Sequence, residues 1–202
     1  QPTSGDILYD DRSFVTASRH EIKDIRKEIG MLFQGSALFD SKTVLENVLF
    51  PLQMMTDTSP AEQMETAKLC LERVELSHAA HLFPSEISGG MQKRVGIARA
   101  IVLNPRYLFC DEPNSGLDPQ TAITIDELIK EITEEYNTTT VIVSHDMNSV
   151  IGIGEYIMYL YKGHKLWEGS NKTLLQTEVK ELQEFIFSSK LVKELKNREN
   201  IF

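Results

Sequence analysis

Ser88-Gly89-Gly90, Asp111-Glu112, Gln34 and His145 are the residues whose type and setting suit chemistry on a phosphate-like anion. Ser88 precedes a stretch in which Val95, Ala98 and Val102 recur at helical spacing, so the Ser-Gly-Gly triplet opens a helix. A helix start offers unpaired N–H groups and the positive end of the dipole, and glycines carry no Cβ to keep a phosphate away. Asp111 and Glu112 end the apolar run Tyr107–Cys110. At such a strand end, Asp111 stands where the water shell of Mg²⁺ can sit and Glu112 beside an attacking water. Gln34 follows Met31-Leu32-Phe33, and His145 follows Val141-Ile142-Val143. Each has an ordinary rival role: a serine also caps a helix, carboxylates flank strands because strands end at solvent, and a lone glutamine after a strand faces water. Only their order along the chain gives them joint meaning.

The elements that must carry these residues alternate between strand and helix around one helical block. Ile7-Leu8-Tyr9 predicts a short strand, residues 21–29 a helix with Ile22, Ile25 and Ile29 on one stripe, and Gly30 to Phe33 a buried strand. No convincing strand falls between Thr43 and Leu103. There Ser59-Pro60-Ala61-Glu62 is a capping box with proline at the first helical position, and Met64, Ala67, Leu71 and Val74 follow at helical spacing. The helix opened at Ser88 stops before Asn104-Pro105. Tyr107–Cys110 and Thr140–Val143 are continuous apolar runs, predicting parallel strands covered on both faces, with a helix from Pro119 to Glu134 capped by Asp118 between them. A terminal hairpin over Tyr156–Glu168 and helices from Thr173 to Leu195 complete the reading.

Composition sets the outer bounds. The 202 residues, 41% of them hydrophobic, suffice for one substantial core. With 21 basic residues scattered among 30 acidic ones and a net charge of −9, no clustered cationic face for nucleic acid is expected. The longest apolar runs are far short of the roughly 20 residues of a spanning helix, so direct membrane insertion is not expected either. Cys70 and Cys110 fall in apolar settings and predict buried thiols of a reducing compartment rather than a disulfide framework. His20, His78, His81 and His164 lack zinc-type spacing, and no structural metal is assigned to them.

Taken in order, the motifs resemble those of ATP-binding cassette (ABC) ATPases. Ser88-Gly89-Gly90-Met91-Gln92, with Lys93 to Ala100 behind it, is similar to the signature helix usually written LSGGQ, from which it departs at Ile87 and Met91. Neither departure removes the hydroxyl or the glycine amides. Phe109-Cys110-Asp111-Glu112 resembles the Walker B strand, and Pro113-Asn114-Ser115-Gly116-Leu117-Asp118-Pro119 the D-loop after it. Gln34 matches the Q-loop glutamine and His145 the switch histidine. The resemblance implies an α/β, P-loop NTPase-type parallel sheet with an inserted α-helical subdomain. Residues 1–40 would be core up to the Q-loop, 41–103 the helical subdomain, 104–169 core again, and 170–202 C-terminal helices. It implies ATP and Mg²⁺ as ligands, with Glu112 polarising water, Asp111 and Gln34 at the metal, His145 at the γ-phosphate, and Ser88, Gly89, Gly90 and Asp118 at a nucleotide. It also implies a homodimer in which one signature closes over ATP held by the other chain, beneath permease subunits at the cytoplasmic face of the membrane. Gly30 to Asp40, with Asn47-Val48 and Phe50-Pro51-Leu52, looks like the ATPases of Mla/Mce-type lipid transporters, as does Pro84 to Met91. An importer ATPase for amino acids or another small solute is the alternative, and a non-catalytic partner offering only the signature half-site is a second.

One part of the set is missing: no G-x-x-x-x-G-K-[ST] loop occurs in these residues. The N-terminal segment bearing that loop is therefore expected to be absent. Without it, the chain is expected to bind no nucleotide in its own site, to be inactive alone, and to show a rearranged sheet or strand exchange between chains. Glu112, Gln34 and His145 act only on a nucleotide in their own chain, which favours a motor ATPase over the non-catalytic alternative.

Overall fold

The computed structural model of the chain describes residues 2–187. These fall into two compact units, residues 1–143 and 144–202. In the first, β1 (Leu8–Tyr9) and β2 (Arg12–Ser13) pair as a small antiparallel hairpin. Helix α1 (Arg19–Lys27) begins on a capping box in which the Ser18 hydroxyl accepts from the Glu21 amide. It ends at Glu28, and β3 (Ile29–Leu32) follows at once. Ile29, expected on the helix stripe, is thus the first strand residue, because its backbone enters the parallel ladder opposite Tyr107.

The helical block consists of α2 (Val44–Met55), α3 (Pro60–Arg73) and α4 (Gly89–Ile101), with short 3₁₀ turns at Ser77–Ala79 and Pro84–Glu86. Capping boxes at Thr43/Glu46 and Ser59/Glu62 start the first two. Helix α2 runs through Pro51 and is the one helix of the block that the sequence reading did not delimit. From Val95 to Ala98, α4 is buried on every side, as a helix apolar all round must be.

Strand β4 (Tyr107–Asp111), helix α5 (Pro119–Tyr136) and strand β5 (Thr139–Val143) form a parallel β-α-β unit. The three-stranded sheet has the order β3-β4-β5, with Leu32 opposite Cys110 and Asp111 opposite Val143. Leu32, Leu108 and Cys110 join the core with Val95, Ile97 and Ala98 of α4 and with Ile125, Ile129 and Ile132 of α5. Burying side chains of this size stabilises by about 1.5–3 kcal/mol each. The expectation of strands covered on both faces is not met: Met31 is 41% exposed, Phe33 43%, Val141 42% and Val143 59%. Helices α4 and α5 take up one side of the pleat, and alternate residues point the other way.

The second unit holds α6 (Met147–Ile153), β6 (Ile157–Tyr161), β7 (His164–Gly169), α7 (Asn171–Leu174) and α8 (Lys180–Ile186). The predicted hairpin is β6-β7, turned by Lys162 and Gly163, both at positive φ as a two-residue primed turn requires. The predicted C-terminal helical run is broken at residues 175–179, and its part beyond 187 lies outside the described residues. A small core of Leu174, Leu182 and Ile186 gathers Val150, Ile157 and Trp167 around it. Among the described residues, no helix is long and apolar enough to cross a membrane.

Candidate functional site

Helix α4 organises the first unit's candidate residues. Ser88 caps it, its hydroxyl accepting from the Met91 amide at 3.2 Å, so the amides of Gly89 and Gly90 stand in the first turn, where a helix supplies no acceptor. The loop before it is tied down by Gln92, whose Nε2 donates to the Pro84 carbonyl at 2.9 Å. At Gly90 a Cβ would meet Thr121 Cγ2 at 2.7 Å, whereas beside Gly89 the nearest atom is Leu117 Cδ2 at 3.8 Å. Ser88, Gly89, Gly90, Leu117, Asp118 and Thr121 line an open groove of about 410 Å³. Asp118 lies in this groove as the cap of α5. Its Oδ1 accepts from the amides of Gln120 and Thr121 at 3.1 Å and its Oδ2 from the Thr121 hydroxyl at 2.5 Å. The Thr121 hydrogen bond, foremost, holds its carboxyl below the ordinary 3.8.

Gln34 and Glu112 come together around a residue the sequence reading passed over. Lys93, only 4% exposed, donates from Nζ to the Gln34 carbonyl and, at 3.2 Å, to the Glu112 carbonyl. The Gln34 side chain donates from Nε2 to Ser115 Oγ at 3.2 Å, and the Ser115 amide donates to the Glu112 carbonyl at 3.1 Å. These four contacts close a ring. Glu112 itself sits at φ 46, in the left-handed region, its amide bonded to the Val143 carbonyl at 2.9 Å. Burial pushes the Lys93 ammonium below its ordinary pKa, against the opposing pull of Cys110, Asp111 and Glu112. Burial also pushes the Cys110 thiol up to about 12; both cysteines are free and buried, as expected.

Two further contacts fix the turn after Gln34. Arg99 donates to the carbonyls of Ser36 and Ala37, the latter at 2.7 Å, and Ser36 and Ala37 both adopt positive φ. On the other side of the Glu112 loop, Asn114 Nδ2 donates to Asp126 Oδ1 at 2.8 Å within the core, anchoring the loop to α5. Asp111 closes β4, one residue beyond the Leu32/Cys110 pair, so it and the segment leading to Gln34 leave the same end of the sheet. His145 belongs to the second unit. It is exposed and precedes Asp146, which caps α6 by accepting from the Asn148 amide at 2.9 Å. Among the described residues, no three His, Cys, Asp or Glu side chains converge as a metal cluster.

The sequence profile described as "ABC transporter" matches residues 1–115, more than half of the chain. The chain belongs to the ABC transporter family. Among its relatives, the methionine import ATP-binding protein MetN of Latilactobacillus sakei is 38% identical over 192 residues, 95% of this chain and 56% of that protein. The intermembrane phospholipid transport system ATP-binding protein MlaF of Haemophilus influenzae is 37% identical over 185 residues, 92% of this chain and 70% of that one. The chain thus spans little more than half the length of MetN. Of solved structures, the dimeric post-hydrolysis state of the ATP-binding cassette MJ0796 bound to ADP and Pi matches with a TM-score of 0.76 at 36% identity, covering 85% of this chain and 75% of that one. The cbiO1 protein from Clostridium perfringens, part of the ABC transporter complex cbiONQ, matches with a TM-score of 0.80 at 28% identity, covering 97% and 78%. The fold is the α/β, P-loop NTPase-type fold of ABC cassettes.

Proposed function

We propose that the protein is the ATP-binding and ATP-hydrolysing subunit of an ABC transporter. The observation that carries this reading is the ring joining Gln34, Ser115, Glu112 and Lys93 at the strand ends, in which Lys93 comes from the helix that opens at Ser88. The groove at that helix start suits a phosphate: it presents the first-turn amides of Gly89 and Gly90, with no Cβ on either residue. The carboxylate of Asp111 and the amide oxygen of Gln34 are hard oxygen donors of the kind Mg²⁺ takes. A Mg²⁺ bound by Asp111 and Gln34 would supply positive charge to offset that of the phosphates.

The chain's own residues then have distinct tasks. Glu112 accepts a proton from the attacking water and orients it, Asp111 and Gln34 hold the cation, and His145 donates a hydrogen bond to the γ-phosphate. Ser88, Gly89 and Gly90, with Asp118 fixing the helix beside them, receive the phosphates of ATP held by a second copy of the chain. Permease subunits carry the cargo, and the ATPase works at the cytoplasmic face of the membrane through them.

The Mla/Mce-like wording of Gly30 to Asp40 and Pro84 to Met91 favours a lipid cargo, and likeness to MlaF supports it. Methionine is the second reading, supported by equal likeness to MetN. Comparing ATPase stimulation of the reconstituted complex by phospholipid and by methionine separates the two. The hydrolytic reading is tested with Glu112→Gln in the full-length protein. Turnover should fall by about 10² to 10⁴-fold while ATP binding and ATP-dependent dimerisation persist. Near-normal hydrolysis would remove Glu112 from this role.

A further inference from the structure

We propose that Lys93 is a positioning residue for hydrolysis: its buried ammonium ties the carbonyl of Gln34 to that of Glu112, so the groups assigned to metal and water shift together. The inference rests on the ATP-hydrolysis reading above. Glu112 and Gln34 belong to loops that follow different strands. Two paths join them. One runs through the Gln34 side chain to Ser115 Oγ, among exposed atoms, and on through the Ser115 amide to the Glu112 carbonyl. The other runs through Lys93 Nζ, which contacts both carbonyls directly from inside the protein.

These paths differ in what happens when Gln34 is used. The Ser115 path ends on the exposed Gln34 side chain, so it shifts with any rotation of that side chain that brings Oε1 to a cation. The Lys93 path engages the backbone carbonyl of Gln34 and survives that rotation. It also lies on the helix that opens at Ser88 and that holds Ser36 and Ala37 through Arg99, so displacement of the signature helix passes to both loops at once. A methionine of similar length would fill the buried slot without the cost of desolvating an ammonium. What only the lysine supplies is the pair of donated hydrogen bonds.

Lys93→Met in the full-length protein removes the donors and keeps the volume; Lys93→Arg keeps donors. Steady-state ATPase kinetics and amide hydrogen exchange of residues 33–37 and 112–115 are measured on wild type and both variants. The expected result is a kcat lowered by roughly 10- to 100-fold in Lys93→Met with KM for ATP changed less than about threefold. Exchange should quicken in both loops together, and Lys93→Arg should recover part of each effect. A kcat within about twofold of wild type overturns the proposal. So does acceleration of exchange throughout α3 and α4 with a matching loss of ATP binding, which marks a merely structural lysine. If the wild type turns over no ATP, the hydrolysis reading fails by itself. The exchange data then decide the tie: coupled loosening of the two loops supports it, and unchanged loops refute it.

Discussion

Gly96 has no room for a methyl group. A Cβ there would lie 2.7 Å from Leu32 Cδ1 and 3.3 Å from Ser36 Cβ, so this glycine helps α4 press against β3 and the turn after Gln34. Helix propensity favours alanine over glycine by about 1 kcal/mol. Overpacking a buried contact costs about 1–3 kcal/mol, and it wins here because one neighbour is the fixed turn that Arg99 clamps. Gly96→Ala is therefore expected to lower stability by up to about 2 kcal/mol, the difference between these effects, seen as a lower urea midpoint. An unchanged or raised midpoint would mean that the turn after Gln34 yields freely.

Helices α1, α2 and α3 share a device at their starts, and the device is acid-sensitive. Hydrogen bonds from Ser18, Thr43 and Ser59 hold the carboxyls of Glu21, Glu46 and Glu62 below the ordinary 4.5. A carboxyl whose folded value is depressed adds stability that is fully present above its unfolded value and is lost as pH falls through the folded one. The three caps should therefore weaken as the pH drops below about 4.3, and stability measured by denaturant unfolding should decline through that window. Glu62→Gln keeps the cap geometry without the charge and should flatten part of the decline; an identical acid profile would exclude the α3 cap as a contributor. At neutral pH, Ser59→Ala should cost about 0.5–2 kcal/mol, read as a shift in the same midpoint.

If the proposed transporter ATPase is joined to a membrane permease, the apolar residues past Gln34 offer a place for the joint. Phe39 is 39% exposed and lies against Phe50, ring centroids 4.7 Å apart. Its backbone is held by Asn47, fully buried, whose Oδ1 accepts from the Phe39 amide at 2.8 Å and whose Nδ2 donates to the carbonyls of Phe39, Lys42 and Thr43. The ring is thus presented on a fixed support. Phe39→Asp should reduce co-purification of the permease severalfold while ATP affinity stays unchanged. Association equal to wild type in a pull-down would sink this placement.

What the sequence determined by itself was local. Ser59-Pro60-Ala61-Glu62 and Asp118-Pro119 start helices because cap side chains bond amides two and three residues away. Ser88-Gly89-Gly90 likewise marks a helix start, and Tyr107 to Glu112 a strand end, so the α/β class and the order of candidate residues were legible. Tertiary structure decided the rest. The end of α1 was set by the pairing of Ile29 with Tyr107, a contact 78 residues apart in sequence that no helical stripe can report. Met31, Phe33, Val141 and Val143 read as buried, because an apolar run does not state how many faces of its sheet are covered. Lys93 stands in the sequence between Gln92 and Arg94 with nothing to single it out. Only the approach of two distant loops to one buried point made it the donor between Gln34 and Glu112, since an ammonium's role depends on which carbonyls the fold brings within its reach.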